Sequence, residues 1–450
     1  MGRLFGTDGI RGVANTKELD SGLAFKTGQA AAYVLAKHAS HRPKILIGKD
    51  TRASGDMLEA GLTAGICSVG ADVVSLGVVP TPAVAYLTRL YNADAGIVIS
   101  ASHNPMEYNG IKIFNSNGYK LSDEIENEIE GYILGETKID ALPTGGDVGK
   151  RSVANTAVAD YINFAVSTIN TRLDGMRICV DCANGASSVT AKDALEKLGA
   201  DVMVINNTPD GTNINKNCGS THLEQLSEFT TAQKADIGIA FDGDADRMLA
   251  IDENGKTVDG DQIMAICANE FMKEGKLKKN TLVATIMSNL GLFIAGKSLG
   301  INIPQTKVGD RYVLEKMLEE GYCLGGEQSG HVIFLDFNTT GDGLISALQL
   351  LSIVKRTGKT LSELACIVNI LPQVLCNAKV KNENKERYME NETVKAAVKE
   401  LEAEFADAGR VLIRPSGTEP LVRVMIEGED IDYITAKASA LAELIENLLG

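Results

Sequence analysis

Three carboxylates sit two residues apart in Asp242-Gly243-Asp244-Ala245-Asp246-Arg247. On an extended segment residues i, i+2 and i+4 point the same way, so three like charges would converge and repel unless a cation joined them. All-oxygen ligands select a hard cation, and a small site open to a substrate phosphate suits Mg²⁺ better than a full protein cage for Ca²⁺. An EF-hand loop is the rival, because Glu253 is twelfth counting from Asp242. Arg247 stands sixth, however, where that loop needs glycine, and the flanks read as strands. The bland alternative is a solvated acidic turn.

A second polar stretch is Ser100-Ala101-Ser102-His103-Asn104-Pro105. Pro105 holds Asn104 extended, so the loop should leave its strand as a defined bend with a hydroxyl at the tip. A Ser-His-Asp hydrolase finds little support, since no Gly-x-Ser-x-Gly elbow is present. A serine that exchanges phosphate needs a metal and cations instead. Lys112 alternates with apolar neighbours in the strand that follows and so points to the face opposite theirs. Without the serine loop it would read as a solvated strand lysine.

Arg414-Pro415-Ser416-Gly417-Thr418-Glu419-Pro420 with Arg423 is a candidate anion cradle, because successive N–H groups, two hydroxyls and a guanidinium can surround a phosphate. A plain turn between two strands is the competing reading. Near the start, Gly6-Thr7-Asp8-Gly9-Ile10-Arg11-Gly12 places Arg11 in a glycine-rich loop. In Gly326-Glu327-Gln328-Ser329-Gly330-His331, Glu327 and Ser329 can bond sugar hydroxyls, and His331 or Lys112 can move protons.

The elements that must carry these loops recur in three blocks of alternating strands and helices, the pattern of α/β layers. First strands are expected over 44–50, 177–181 and 281–285. Second strands begin after a glycine, over 70–74, 199–203 and 300–303. Third strands cover 95–99, 235–240 and 322–325, and each runs into one of the three polar loops and then another strand. Ligands gather at the carboxyl ends of strands in such sheets, so three facing sheets would give one cleft receiving three chemistries. Residues 135–153, with Gly-Gly and Pro, read as a linker. From about 371 the pattern changes to strand, charged helix, two strands and a last helix. The expected architecture is three tandem mixed-sheet α/β domains, 1–152, 153–254 and 255–370, plus a smaller α+β domain, 371–450, around a central cleft.

Composition bounds the rest. The 450 residues hold 44 Lys+Arg and 59 Asp+Glu, a net charge of −15, with 44% hydrophobic and 23% charged residues. That is a soluble globular mix rather than a disordered one, and the acidic balance argues against nucleic acid, whose binding needs clustered cations. A small anionic substrate requires only a few local ones. No apolar run reaches the ~18 residues of a membrane span, and no signal-peptide pattern opens the chain, so a cytoplasmic protein without a membrane partner is expected. Eight scattered cysteines suit reduced core thiols. Cys179 and Cys182 form a CxxC on a strand, where residues three apart face opposite sides.

The serine loop, the acid loop, Gly-Glu-Gln-Ser-Gly-His and Arg-Pro-Ser-Gly-Thr-Glu-Pro, one per domain and in this order, resemble the motifs of the α-D-phosphohexomutase family along essentially the whole chain. Phe5 to Gly12, Ile99-Ser100-Ala101-Ser102 and Gln328 are similar to its glucosamine branch. The resemblance implies that Ser102, and not Ser100, is a phosphoserine, with Mg²⁺ between its phosphate and Asp242, Asp244 and Asp246. It implies interconversion of glucosamine 6-phosphate and glucosamine 1-phosphate through a sugar 1,6-bisphosphate, feeding UDP-N-acetylglucosamine and cell-wall precursor synthesis. Ser102, His103, Lys112, Arg11, Arg247 and His331 form the implied catalytic group, Arg11 and Arg247 stabilising the transferring phosphoryl charge. Glu327, Ser329 and the loop Gly309-Asp310-Arg311 would meet the sugar. Arg414, Ser416, Gly417, Thr418 and Arg423 would hold the phosphate that is not reacting, on a fourth domain that closes over the cleft. Two alternatives stay open at this point: a glucose- or mannose-specific member of the family, and a non-catalytic sugar-phosphate sensor. The sequence does not decide between monomer and homodimer.

Overall fold

The computed structural model describes residues 4–6, 8–37, 39–139, 141–406, 409–416 and 420–450. Three consecutive sheets repeat one plan. In the first, the order is Phe5–Gly6, Gly9–Val13, Tyr108–Asn115, Ala95–Ile99, Lys44–Lys49, Asp72–Val78 and Arg151–Val153. Its centre is parallel, Lys44–Lys49 lying between Asp72–Val78 and Ala95–Ile99. Ile45, Leu46, Ile47, Ile97, Val98 and Ile99 are all buried, as expected of strands covered by helices on both faces. The second sheet runs Thr257–Val258, Met248–Ile251, Ile237–Phe241, Arg177–Asp181, Asp201–Ile205, and the third Gln305–Thr306, Leu282–Thr285, Leu324–Gly326, Val332–Phe334.

In each sheet a parallel strand ends in a polar loop and returns antiparallel: Ala95–Ile99 to Tyr108–Asn115, Ile237–Phe241 to Met248–Ile251, and Leu324–Gly326 to Val332–Phe334. This is the mixed-sheet α/β repeat anticipated above. Two details differ from it. Arg151–Val153, inside the stretch read as a linker, pairs with Asp72–Val78 as an edge strand; three exposed residues carry no alternation that would reveal it. The second strand of the third repeat is Gln305–Thr306 rather than 300–303. Leu282 and Ala284 still donate to the carbonyls of Asn302 and Pro304, but Pro304 has no N–H to return, which interrupts the ladder.

By internal contacts the chain forms two compact units, Met1–Met287 with Gly300–Ile367, and Ser288–Leu299 with Val368–Gly450. The second holds a three-stranded antiparallel sheet, Gln373–Lys379, Leu421–Gly428 and Gly409–Pro415, with helices Glu392–Phe405 and Ile431–Leu449. Their apolar faces, including Val394, Val398, Phe405, Ile434, Leu441 and Ile445, form its core with Val422, Val424 and Ile426. Helix Leu290–Leu299 belongs to this unit too, tied through Leu290 N–H to buried Glu427. Among the described residues no helix is long and apolar enough to cross a membrane.

Candidate active site

Within the first unit the three polar loops meet. Asp242, Asp244 and Asp246 are buried, and one oxygen of each lies within 4.8 Å of the others. The convergence comes from a tight turn and not from the extended segment anticipated, because Ala245 adopts φ 56°. That turn is held by N–H groups from three other segments: Thr81 to the carbonyl of Asp244, Ala186 to Gly243 and Gly343 to Ala245. Gly243 is where the acid loop presses on the serine loop. A Cβ there would lie 2.6 Å from the Ser102 carbonyl oxygen.

Ser102 is buried, with φ 52°. Its Oγ donates to Asp242 Oδ2 at 2.6 Å and lies 3.3 Å from His103 Nδ1. Ser100 is otherwise engaged: its hydroxyl donates to Asp50 Oδ2 at 2.6 Å and accepts from the Ser102 N–H at 2.9 Å. Of the two serines, Ser102 is thus the one whose hydroxyl donates to the acid loop.

Lys112, on the strand after the serine loop, is buried, with Nζ 2.9 Å from Asp244, 3.1 Å from Asp8 and 3.6 Å from Asp246. Burial works to lower its pKa, but Asp244, Asp8 and Asp246 outweigh that and raise it. Lys112 is thus held as a cation, which suits charge stabilisation rather than proton abstraction. For His103 burial, with Arg247 and Arg11 nearby, lowers the pKa to about 4. It is neutral at pH 7, with Nδ1 farther from Ser102 Oγ than Asp242 Oδ2 is. His331 lies 3.6 Å from Asp246 and 3.4 Å from Asp310, and its pKa is raised because those acids, Asp246 foremost, outweigh burial. The ring fits only because residue 341 is glycine: a Cβ there would come within 2.5 Å of it.

The carboxylates fit a hard cation. Asp244 Oδ1 and Asp246 Oδ1 are buried without a hydrogen-bond partner, an expensive arrangement that a divalent ion on the three acids would relieve. Burial, then Asp246 and Asp244, push the Asp242 carboxyl well up, whereas Asp246 is held low because Lys112, His331 and Arg247 overcome its burial. Arg11 Nε, Arg247 Nε and Ser329 Oγ are buried donors without a hydrogen-bond partner, as befits a site shaped for an anionic, oxygen-rich ligand.

Glu327 accepts from the Gly309 N–H at 3.0 Å, so these two expected sugar-site residues are brought together. Asp310 pairs with Lys120 at 2.6 Å. Arg311 is not brought to them: its guanidinium reaches Asp123 and Glu315. Three contributors were not foreseen. Asp8 binds Arg11, Lys112 and Lys120; its place beside Arg11 in the glycine-rich loop was the available signal. Lys120 joins Asp8 to Asp310, and Thr81 Oγ1 donates to Asp244 at 2.6 Å. Neither has a local sequence signal.

The second unit carries its own cation pair. Arg414 and Arg423 lie directly opposite in adjacent antiparallel strands, an unfavourable juxtaposition of like charges that an anion would reverse. Burial and then Arg423 lower the Arg414 pKa. Buried Ser416 donates its N–H to the Leu421 carbonyl, and Lys385 donates to the Ser416 carbonyl at 2.9 Å. Gly417 and Thr418 lie outside the described residues. The CxxC thiols are free and buried, pushed up to about 11 at Cys179 and about 12 at Cys182, as suits core residues.

Four family models match in order: phosphoglucomutase/phosphomannomutase alpha/beta/alpha domain I over 2–140, domain II over 157–255, domain III over 259–369 and the C-terminal domain over 375–444. The chain belongs to the phosphoglucomutase/phosphomannomutase family, the α-D-phosphohexomutases. It is 63% identical over 450 residues, all of both chains, to a protein of Acetivibrio thermocellus named phosphoglucosamine mutase. It is 62% identical, again over both whole chains, to one of that name from Ruminiclostridium cellulolyticum. Among solved structures, a phosphoglucomutase/phosphomannomutase family protein of Burkholderia thailandensis superposes with a TM-score of 0.82 at 23% identity, covering 99% of this chain and 98% of that one. An Aspergillus fumigatus N-acetylphosphoglucosamine mutase, in complex with GlcNAc-6P and magnesium, gives 0.69 at 17% identity over 99% and 96%.

Proposed function

We infer that the chain interconverts glucosamine 6-phosphate and glucosamine 1-phosphate, as a phosphoglucosamine mutase. The observation that carries the reading is Ser102 Oγ, 2.6 Å from an acid loop with two orphaned carboxylate oxygens, in a chain 63% identical to a protein of that name.

Ser102 would be phosphorylated in the active enzyme. Its Oγ–P bond breaks as the P–O1 bond to glucosamine 6-phosphate forms, giving the 1,6-bisphosphate; the O1 proton passes to a base or to water, and the leaving Ser102 Oγ takes up a proton. After the intermediate reverses, its O6–P bond breaks as the P–Oγ bond to Ser102 forms, the Oγ proton leaves and O6 takes one up, giving glucosamine 1-phosphate. Arg11, Arg247 and Lys112 stabilise charge on the moving phosphoryl oxygens. Glu327, Ser329 and the Gly309-Asp310 turn orient the sugar, while Arg414, Ser416 and Arg423 offer a site for the other phosphate. Asp242, Asp244 and Asp246 would hold Mg²⁺, which supplies compensation of phosphoryl negative charge when bound. The division at 152, 254 and 370, a cytoplasmic location and dependence on a bisphosphate primer belong to the same proposal.

A coupled assay with glucosamine 6-phosphate, after priming with a sugar 1,6-bisphosphate, tests the reading. A kcat/KM for the amino sugar at least tenfold above those for glucose and mannose phosphates is expected. An equal or lower value would overturn it.

A further inference from the structure

Carbonyl oxygens of the serine loop are gathered around a buried cation, Arg52. Arg52, its side chain wholly enclosed, donates Nε to Asp50 Oδ2 at 2.9 Å. Its Nη2 donates to the carbonyls of Ser102 at 2.9 Å and Asn104 at 2.8 Å. Its Nη1 donates to the carbonyls of Pro105 at 2.5 Å and Tyr108 at 3.1 Å. All five guanidinium N–H groups are thereby used, three of them on the serine loop and one on the first residue of its return strand. The same Asp50 accepts from the Ser100 hydroxyl, which in turn accepts from the Ser102 N–H.

A second clamp arrives from the next sheet's domain. Asn215 Nδ2 donates to the Ser102 carbonyl at 2.8 Å and to that of Asn104 at 3.1 Å. Asn215 is itself buried, with φ 58°. The carbonyl of the nucleophile's own residue therefore receives two donors, one from each domain. Gly243 lies against both, since a Cβ there would be 2.6 Å from the Ser102 oxygen and 2.8 Å from Asn215 Nδ2.

We propose that Arg52 and Asn215 are positioning residues for phosphoryl transfer: they fix the backbone of residue 102 so that Oγ stays on the acid loop. The guanidinium sets the loop's shape within the first domain. Asn215 registers that loop against the second domain, where the three acids reside. The benefit is geometric, because a reacting group displaced by about 1 Å can lose about 100-fold in rate. An ordinary buried structural arginine would show its loss as unfolding rather than as slower chemistry in a folded protein.

The deciding variant is Asn215→Gly, since glycine accepts the left-handed backbone and removes both donors. The expected result is a kcat about 10- to 100-fold lower, a KM for glucosamine 6-phosphate within about twofold and a melting temperature within a few degrees of wild type. The phosphoserine ³¹P resonance of EDTA-treated protein should shift or broaden. Arg52→Lys, which keeps the charge without the fork, should lose at least as much kcat, and Asn215→Gly decides if that variant does not fold. Wild-type kcat and an unmoved resonance in Asn215→Gly would overturn the proposal, as would a rate loss accounted for by the unfolded fraction or by KM. The proposal rests on reading Ser102 as the phosphorylated nucleophile. A wild-type chain lacking phosphoserine and turnover overturns that reading, whereas an active wild type matched by an equally fast Asn215→Gly overturns this proposal alone.

Discussion

The serine loop and the acid loop occupy the same place in their sheets, between a parallel strand and its antiparallel return. Both turn on a non-glycine residue in the left-handed region, Ser102 at φ 52° and Ala245 at φ 56°, which costs of order 1–3 kcal/mol and persists only where neighbours enforce it. The enforcement differs. Backbone N–H groups from residues 81, 186 and 343 hold the acid loop, whereas the serine loop wraps a guanidinium, with Asn215 from the adjoining domain. A loop already carrying three acids gains no further full charge from amide donors. A loop with two hydroxyls and no acid over residues 100–105 can close around Arg52, whose charge Asp50 compensates.

That division of labour is broken most completely at Ser102. Ser102→Ala should abolish phosphate incorporation and bring kcat below about 10⁻⁴ of wild type, read by intact mass and the coupled assay. Retained labelling would put the nucleophile on another residue and end the comparison. Asp244→Asn comes next. It removes one charge and a partner of both Thr81 and Lys112, so a kcat loss of about 100-fold and a Mg²⁺ requirement at least about tenfold higher are expected. An unchanged metal titration would show that the acid loop is a structural turn.

Arg423→Ala carries the comparison to the second unit, where two arginines lie opposite each other across a strand pair. KM for both sugar phosphates should rise about tenfold with phosphoserine content intact. An unchanged KM would return that turn to a purely structural role.

Residue chemistry made one of the two loops legible from sequence and left the other half-read. The acid loop declares itself because its ligands are three like residues within five positions. The serine loop shows its candidate nucleophile but not what holds it, since Arg52 and Asn215 lie 50 and 113 residues from Ser102 and each, read locally, is an ordinary polar loop residue. Spacing also misled in one respect: i, i+2, i+4 predicted convergence through an extended chain, and a turn at Ala245 produced it. The three-sheet repeat was readable because its strands are apolar runs followed by glycine or a polar loop. The edge strands Arg151–Val153 and Gln305–Thr306 were not, one being exposed and the other broken by Pro304.

The smallest effect concerns Arg311, expected at the sugar and found instead among acids. Arg52 and Arg311 both tie separate elements together, but Arg52 is enclosed and neutralised by Asp50, while Arg311 is partly exposed and faces three acids, Asp123, Glu126 and Glu315. Glu126, 4.0 Å away, has its pKa pushed up to about 7 by burial, against the pull of Arg311. Because this lies above the ~4.3 of an unfolded chain, native protein holds the proton more tightly. Its contribution to stability is full below about pH 4 and is lost as pH rises through 7. Glu126 is only half-buried, so solvent screening reduces the effect to about 1–2 kcal/mol. Glu126→Gln stays neutral, and its melting temperature relative to wild type should rise between pH 5 and pH 8. A fall over that range would mean that attraction to Arg311 outweighs desolvation, making the cluster a true ion-pair clamp and the likeness to Arg52 closer than burial allows.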